Sequence, residues 1–150
     1  GTSSQIADGA AAVLLMTASK AAELGVKPIA RVIDAQLVGC DPVLMLEGPI
    51  PATEKMLKKT GLKITDIDVF EVNEAFAVVA MAAMRELGID HNKLNVNGGA
   101  CALGHPIGAS GSRIIVTLIH ALRQQGTKKG IASLCIGGGE ATAMAIEIVD

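Results

Sequence analysis

The sequence has no Trp, no Tyr and only two Phe in 150 residues. A core without aromatic bulk must be filled by Ala, Val, Ile, Leu and Met, and no aromatic platform exists on which nucleic-acid bases could stack. An excess of one charge is lacking too. The 13 basic and 15 acidic residues leave a formal net charge of −2, so no basic field draws phosphate backbones, and no nucleic acid is expected as a partner. Long apolar runs are also missing. The longest, Ala75 to Met84, falls well short of the roughly 18 to 20 residues that a bilayer helix needs, so no membrane span is expected. Three cysteines without paired spacing make no disulfide framework. They fit a reducing compartment, such as the bacterial cytoplasm, a mitochondrion or a peroxisome. The opening Gly1-Thr2-Ser3-Ser4 carries no leader pattern, and the sequence reads as starting within a longer protein.

Half of the residues are hydrophobic, and residues 1–150 have the size of one domain, able to bury roughly 70% of its unfolded surface. Apolar spacing alternates between short β-like runs and longer helical ones, the pattern of an α/β domain. Strands are predicted at Ala10 to Met16, Ile29 to Val38, Ile67 to Val72, Ile131 to Cys135 and Ala141 to Val149. The last two are joined by a glycine-rich turn into a hairpin. Helices are predicted at Ser19 to Leu24, Pro51 to Lys59, Glu74 to Leu87 and Ser110 to Gln125. Gly25, Gly61 and Gly88 stand just past the ends of the first three. The helix starting at Glu74 is apolar on every side over its first turns and therefore needs cover on more than one side. In the last helix Ile114, Ile115, Leu118, Ile119 and Leu122 form the apolar face, with Arg113, Thr117, Arg123 and Gln124 elsewhere.

Glycine is concentrated between Asn97 and Gly111 and again at Gly137-Gly138-Gly139. Such stretches let backbone N–H groups approach a ligand closely. The first feeds a helix N-terminus that favours negative charge. Phosphate cradling is the obvious reading, but neither stretch supplies Gly-Lys-Ser/Thr or Gly-x-Gly-x-x-Gly in a dinucleotide-binding context. His105 precedes Pro106, which biases its backbone to an extended or turn form and presents the ring from a loop. It is either a catalytic imidazole or a turn cap. Cys135 is either a reactive thiol at a strand end or an inert buried one. Cys101, Cys135 and His105 suggest a metal site on paper, but without C-x-x-C spacing no zinc is expected. His91 and His120 lie in polar surroundings and receive no role. Cys40 reads as a small core residue, and the Lys58-Lys59 and Lys128-Lys129 pairs as solvated charge.

Three separated motifs, Asn73-Glu74-Ala75-Phe76, Gly104-His105-Pro106 and Cys135-Ile136-Gly137, occur in an order that resembles the carboxyl-terminal domain of thiolases. Asn95-Val96-Asn97-Gly98-Gly99 and Asp8-Gly9-Ala10-Ala11-Ala12 are similar to that family as well. The resemblance spans essentially the whole chain. It implies a thiolase-like α/β fold, a mixed, mostly five-stranded sheet with helices on both faces. It also implies acyl transfer to or from coenzyme A through an acylated Cys of an amino-terminal half, a half this sequence does not contain.

By the same resemblance His105 is the general base, Cys135 the second acid/base, and Asn73 the holder of a water in the oxyanion hole shared with His105. Gly137 offers an N–H to a second oxyanion hole. Ser4, Met45, Ala75 and Phe76 are placed along coenzyme A, with core packing as the alternative for Met45 and Phe76. Coenzyme A is then a substrate, and neither a resident cofactor nor a metal is implied. The partners implied are acyl-CoA, coenzyme A, the amino-terminal half and, in the full-length protein, further copies in a homodimer or homotetramer. Leu46-Glu47 and Glu140-Ala141 depart from common family residues and leave the acyl-chain length open. A stand-alone module that binds acyl-CoA or lipid, or pairs with another polypeptide, is the alternative of a different class.

Overall fold

β-Branched and Ala-rich segments, none able to satisfy its backbone alone, pair into one sheet in the computed structural model, which describes residues 1–149. Its strands are β1 (Ala30–Gly39), β2 (Val69–Val72), β3 (Lys129–Cys135) and β4 (Glu140–Ile148), in the order β1-β4-β3-β2. β3 and β4 form the expected antiparallel hairpin with Cys135 opposite Ala141, and β1 joins β4 antiparallel. β2 joins β3 in parallel, with Val72 opposite Ser133. The helices are α1 (Ala18–Glu23), α2 (Pro49–Thr60), α3 (Ala77–Leu87), α4 (Ala100–Leu103) and α5 (Ser110–Gln125).

Alternation along the strands sends side chains to two cores. On one face Ala141, Ala143 and Ala145 of β4 lie with Phe70, Val72 and Ile131 beneath Met56 of α2 and Val79 and Ala83 of α3. Small alanines let α2 sit close to the sheet, which offsets the shortage of aromatic volume. On the other face Ile114, Leu118 and Leu122 of α5 cover Val69, Ala132 and Ile146. α5 lies over β2 and β3 but not over β1. Beside it an apolar cavity of about 680 Å³ opens among Val32, Leu37, Ile115, Leu134 and Met144.

The fold corrects the expectation in three places. Ala10 to Met16 is not a strand but an irregular run with Leu14 and Leu15 exposed, so the sheet has four strands, not five. A β-like sequence becomes a strand only where another strand edge receives its N–H and C=O groups, and among the described residues no ladder or bridge pairs this run. β2 starts at Val69 rather than Ile67, because Ile67 N–H closes a 3₁₀ turn onto Ile64 O. α3 starts at Ala77 rather than Glu74, because Glu74, Ala75 and Phe76 are committed elsewhere. α3 still leaves Val78 and Met81 exposed, as its all-apolar sequence implied. Among the described residues no helix is long and apolar enough to cross a membrane.

Candidate active site

The carboxyl ends of the parallel pair β2 and β3 define one edge of the sheet, the edge where ligands sit in open α/β sheets. Asn73 follows β2 and donates its N–H to Ser133 O at 3.0 Å, while Cys135 ends β3 two residues further on. The N-terminus of α5 reaches the same edge, preceded by His105. The short run at the start of the chain ties these pieces together. Ser4 donates from both N–H (3.1 Å) and Oγ (2.8 Å) to Ala75 O, Ala77 N–H reaches Thr2 O, and His105 N–H reaches Gln5 O at 2.7 Å.

His105 is half-buried and engaged at both ring nitrogens. Nδ1 lies 2.6 Å from Ser110 Oγ, which itself donates to Pro106 O at 3.0 Å, and Nε2 lies 3.5 Å from Asn73 Nδ2. Burial, and then the charge of Arg113, hold its pKa below the ordinary value. Asn73 is 1% exposed, and its Oδ1 faces Arg113 Nη2 at 3.5 Å. Burial, the largest cause, pushes the Cys135 thiol above its ordinary value, with the nearby Cys40 adding to it.

Glu74 anchors the neighbouring loop. Its carboxylate accepts from Asn95 Nδ2 at 2.9 Å and from Cys101 N–H at 3.2 Å. Asn95, in a left-handed backbone conformation, exchanges two 2.9 Å bonds with the N–H and C=O of Val72, extending the edge of β2 as a strand would. Gly99 is required here by proximity, since a Cβ would meet the Glu74 carboxylate at 2.1 Å.

On the Cys135 side the turn through Gly137 is exposed and closes at Gly139. Cys40, read from sequence as a core residue, is half-buried and donates from N–H (2.7 Å) and Sγ (2.9 Å) to Gly139 O. A Cβ at Gly139 would lie 2.7 Å from Cys40 O, and φ there is +94°, so only glycine lets this turn close against the loop. Ser4, Ala75 and Phe76 are brought together. Met45 lies in the loop before α2, its backbone bonded to Asp41, Gly48 and Cys40. Sequence reasoning gave no role to Glu71, Ser110 or Arg113. Their signals were spacing: Glu71 and Asn73 are two apart at a strand end, and Ser110 and Arg113 three apart on a helix, so each pair shares a face.

An imidazole, a carboxamide and a thiol thus stand at one edge of the sheet. Among the described residues, no group of three or more His, Cys, Asp or Glu is placed to hold a metal ion. Residues 26–148 match the family described as thiolase, C-terminal domain, and the chain belongs to that family. It is 54% identical over 98% of its length to the acetyl-CoA acetyltransferase of Chromobacterium violaceum, and 51% identical over 99% to the 3-ketoacyl-CoA thiolase of Klebsiella pneumoniae. It spans 38% and 39% of those proteins. The crystal structure of Bacillus anthracis acetyl-CoA acetyltransferase superposes with a TM-score of 0.86 at 48% identity, over 89% of this chain and 34% of that one. Human mitochondrial 3-ketoacyl-CoA thiolase in complex with CoA gives 0.86 at 47%, with the same coverage.

Proposed function

We propose that this chain supplies the acid/base and oxyanion-hole half of a thiolase that cleaves 3-ketoacyl-CoA with coenzyme A, or runs the reverse condensation. The acylated Cys comes from an amino-terminal half of the kind its longer relatives have room for. The observation that carries the reading is the placement of Asn73, His105 and Cys135 at one edge, where burial lowers the pKa of His105 and raises that of Cys135. A neutral imidazole can accept a proton and a protonated thiol can give one, which is the division of labour that two-step acyl transfer needs.

In cleavage the nucleophilic thiol loses its proton to His105 Nε2 and attacks the 3-keto carbonyl. The C2–C3 bond breaks, and the electron pair left on C2 takes the Cys135 proton, releasing acetyl-CoA. The Cys135 thiolate then takes the proton of coenzyme A, the coenzyme A thiolate takes the acyl group, and the released enzyme thiolate recovers the proton held by His105. Asn73 with His105, and the Gly137 N–H, stabilise the oxyanions, each donor contributing about 3 to 4 kcal/mol. Ser4, Ala75 and Phe76 lie along coenzyme A, which is consumed as a substrate, and no resident cofactor is needed. Met45, from the loop before α2, is assigned to the same surface. Assembly into a homodimer or homotetramer is part of the reading for the full-length protein.

The test joins this chain behind the amino-terminal residues of the Chromobacterium violaceum relative and assays coenzyme A-dependent cleavage of acetoacetyl-CoA. Cleavage is expected, lowered about 10²- to 10⁴-fold by His105→Ala. A folded fusion without turnover contradicts the reading.

A further inference from the structure

Beneath the site lies a charged pair that the proposed chemistry does not use. Glu71 is 1% exposed, and its Oε2 meets Arg113 Nη1 at 3.4 Å. Glu71 Oε1 and Arg113 Nε are buried and have no hydrogen-bond partner among the described residues. A loose buried pair of this kind is a poor source of stability, since the loss of solvation can exceed the attraction. Its position points to another use, because Arg113 is shared: Nη1 faces Glu71, and Nη2 faces Asn73 Oδ1 at 3.5 Å.

Hydrogen-bond chemistry then fixes a direction along the chain of groups. A guanidinium can only donate, so the Asn73 atom turned to it must be the carbonyl oxygen. The Asn73 amide nitrogen is thereby turned to His105 Nε2, and an NH₂ group can only donate. Nε2 must therefore carry the lone pair and Nδ1 the proton. Nδ1–H donates to Ser110 Oγ, and the Ser110 hydroxyl has its own proton committed to Pro106 O. Every bond in the series from Arg113 to Pro106 has one permitted sense, and reversing any of them sets two donors or two acceptors against each other.

We propose that Glu71 and Arg113 are positioning residues that, through Asn73, keep the lone pair of His105 on Nε2, the nitrogen that serves as base in the proposed mechanism. Glu71 holds the guanidinium in place from the buried side by accepting its Nη1–H, and Ser110 Oγ accepts from Nδ1–H on the far side of the ring. This rests on the reading of His105 as the base, but its first consequence, the imidazole tautomer, is measurable without any turnover. An ion pair with only a structural role would leave that tautomer free.

The experiment is ¹⁵N NMR of histidine-labelled chain, with His105 assigned through a His105→Gln variant. The wild-type chain is expected to show Nδ1 protonated and Nε2 unprotonated. Arg113→Met, and Glu71→Gln/Arg113→Met, which leaves no unpaired buried charge, are expected to shift His105 toward the Nε2–H form. In the fusion described above, Arg113→Met should lower kcat about 10²-fold with KM little changed, the cost typical of misplacing a reacting group, and its effect should be non-additive with Asn73→Ala. A wild-type Nε2–H tautomer overturns the proposal, as does an unchanged tautomer in the double variant. If Arg113→Met fails to fold, the wild-type spectrum and the double variant still decide. A correct tautomer in a fusion that does no thiolysis contradicts the functional reading and leaves the hydrogen-bond relay standing, so the two fail separately.

Discussion

The two faces of the sheet are built on opposite plans. Under α2 and α3 the face is closed and apolar, with Met56, Phe70 and Ile131 at 0 to 2% exposure. The α5 face is half open: beside well-packed Leu118 and Leu122 it carries the Glu71–Arg113 pair and the 680 Å³ apolar cavity. The closed face supplies stability. The α5 face supplies the site's support and an uncovered apolar surface of the kind that marks an interaction region.

The sharpest way to break this contrast is to hollow the closed face. Met56→Ala removes a fully buried side chain, and a loss of about 2 to 5 kcal/mol is expected in urea melts. A loss below about 1 kcal/mol would mean that this face is not the principal core.

The charged pair on the α5 face yields a pH signature of the next size. Burial raises the Glu71 pKa from 4.5 to about 7, against the opposing pull of Arg113. Between those values the folded chain binds more protons than the unfolded one. The contribution of Glu71 is therefore fully present below pH 4.5 and is lost as pH rises through about 7, by about 3 kcal/mol. Glu71→Gln should lack this slope when melts at pH 5 and pH 8 are compared with wild type. Equal slopes in the two proteins would show that Glu71 is ionised throughout. His105 works in the opposite sense, since its lowered pKa makes stability fall as pH drops below 6.5, so the comparison between variants, not the raw curve, carries the result.

The smallest expected effect concerns the open surface. Leu37 is 61% exposed at the cavity, so Leu37→Glu should change stability by less than about 0.5 kcal/mol. It should, however, reduce concentration-dependent association of the chain in light scattering. A wild-type chain that stays monodisperse at high concentration would show that the open surface is not adhesive.

The same contrast explains what could be read from the sequence. α5 was legible to the residue, and the β3–β4 hairpin nearly so, because periodicity and glycine caps are local signals. Ala10 to Met16 misled because strand formation depends on a neighbouring edge, which local sequence does not contain. The start of α3 misled because Glu74 is spent on Asn95 and Cys101, both more than twenty residues away. His105, Asn73 and Cys135 were singled out as candidates through motif resemblance, and the fold brings them to one edge of the sheet. Arg113 was assigned to the polar side of α5, because a helical pattern shows which residues share a face and not what lies opposite that face. Only the fold brings β2 and α5 together and turns Glu71, Asn73 and Arg113 into one network.

On the proposed reading, this chain holds an acid/base half that awaits a nucleophile from elsewhere. Its most direct test is coenzyme A-dependent cleavage of acetoacetyl-CoA by the chain alone, with thiol alkylation to find which of Cys40, Cys101 and Cys135 reacts. No turnover is expected from the chain alone, together with restored turnover in the fusion. Turnover by the isolated chain, abolished on alkylating Cys101 or Cys135, would contradict the claim and place the nucleophile within these 150 residues.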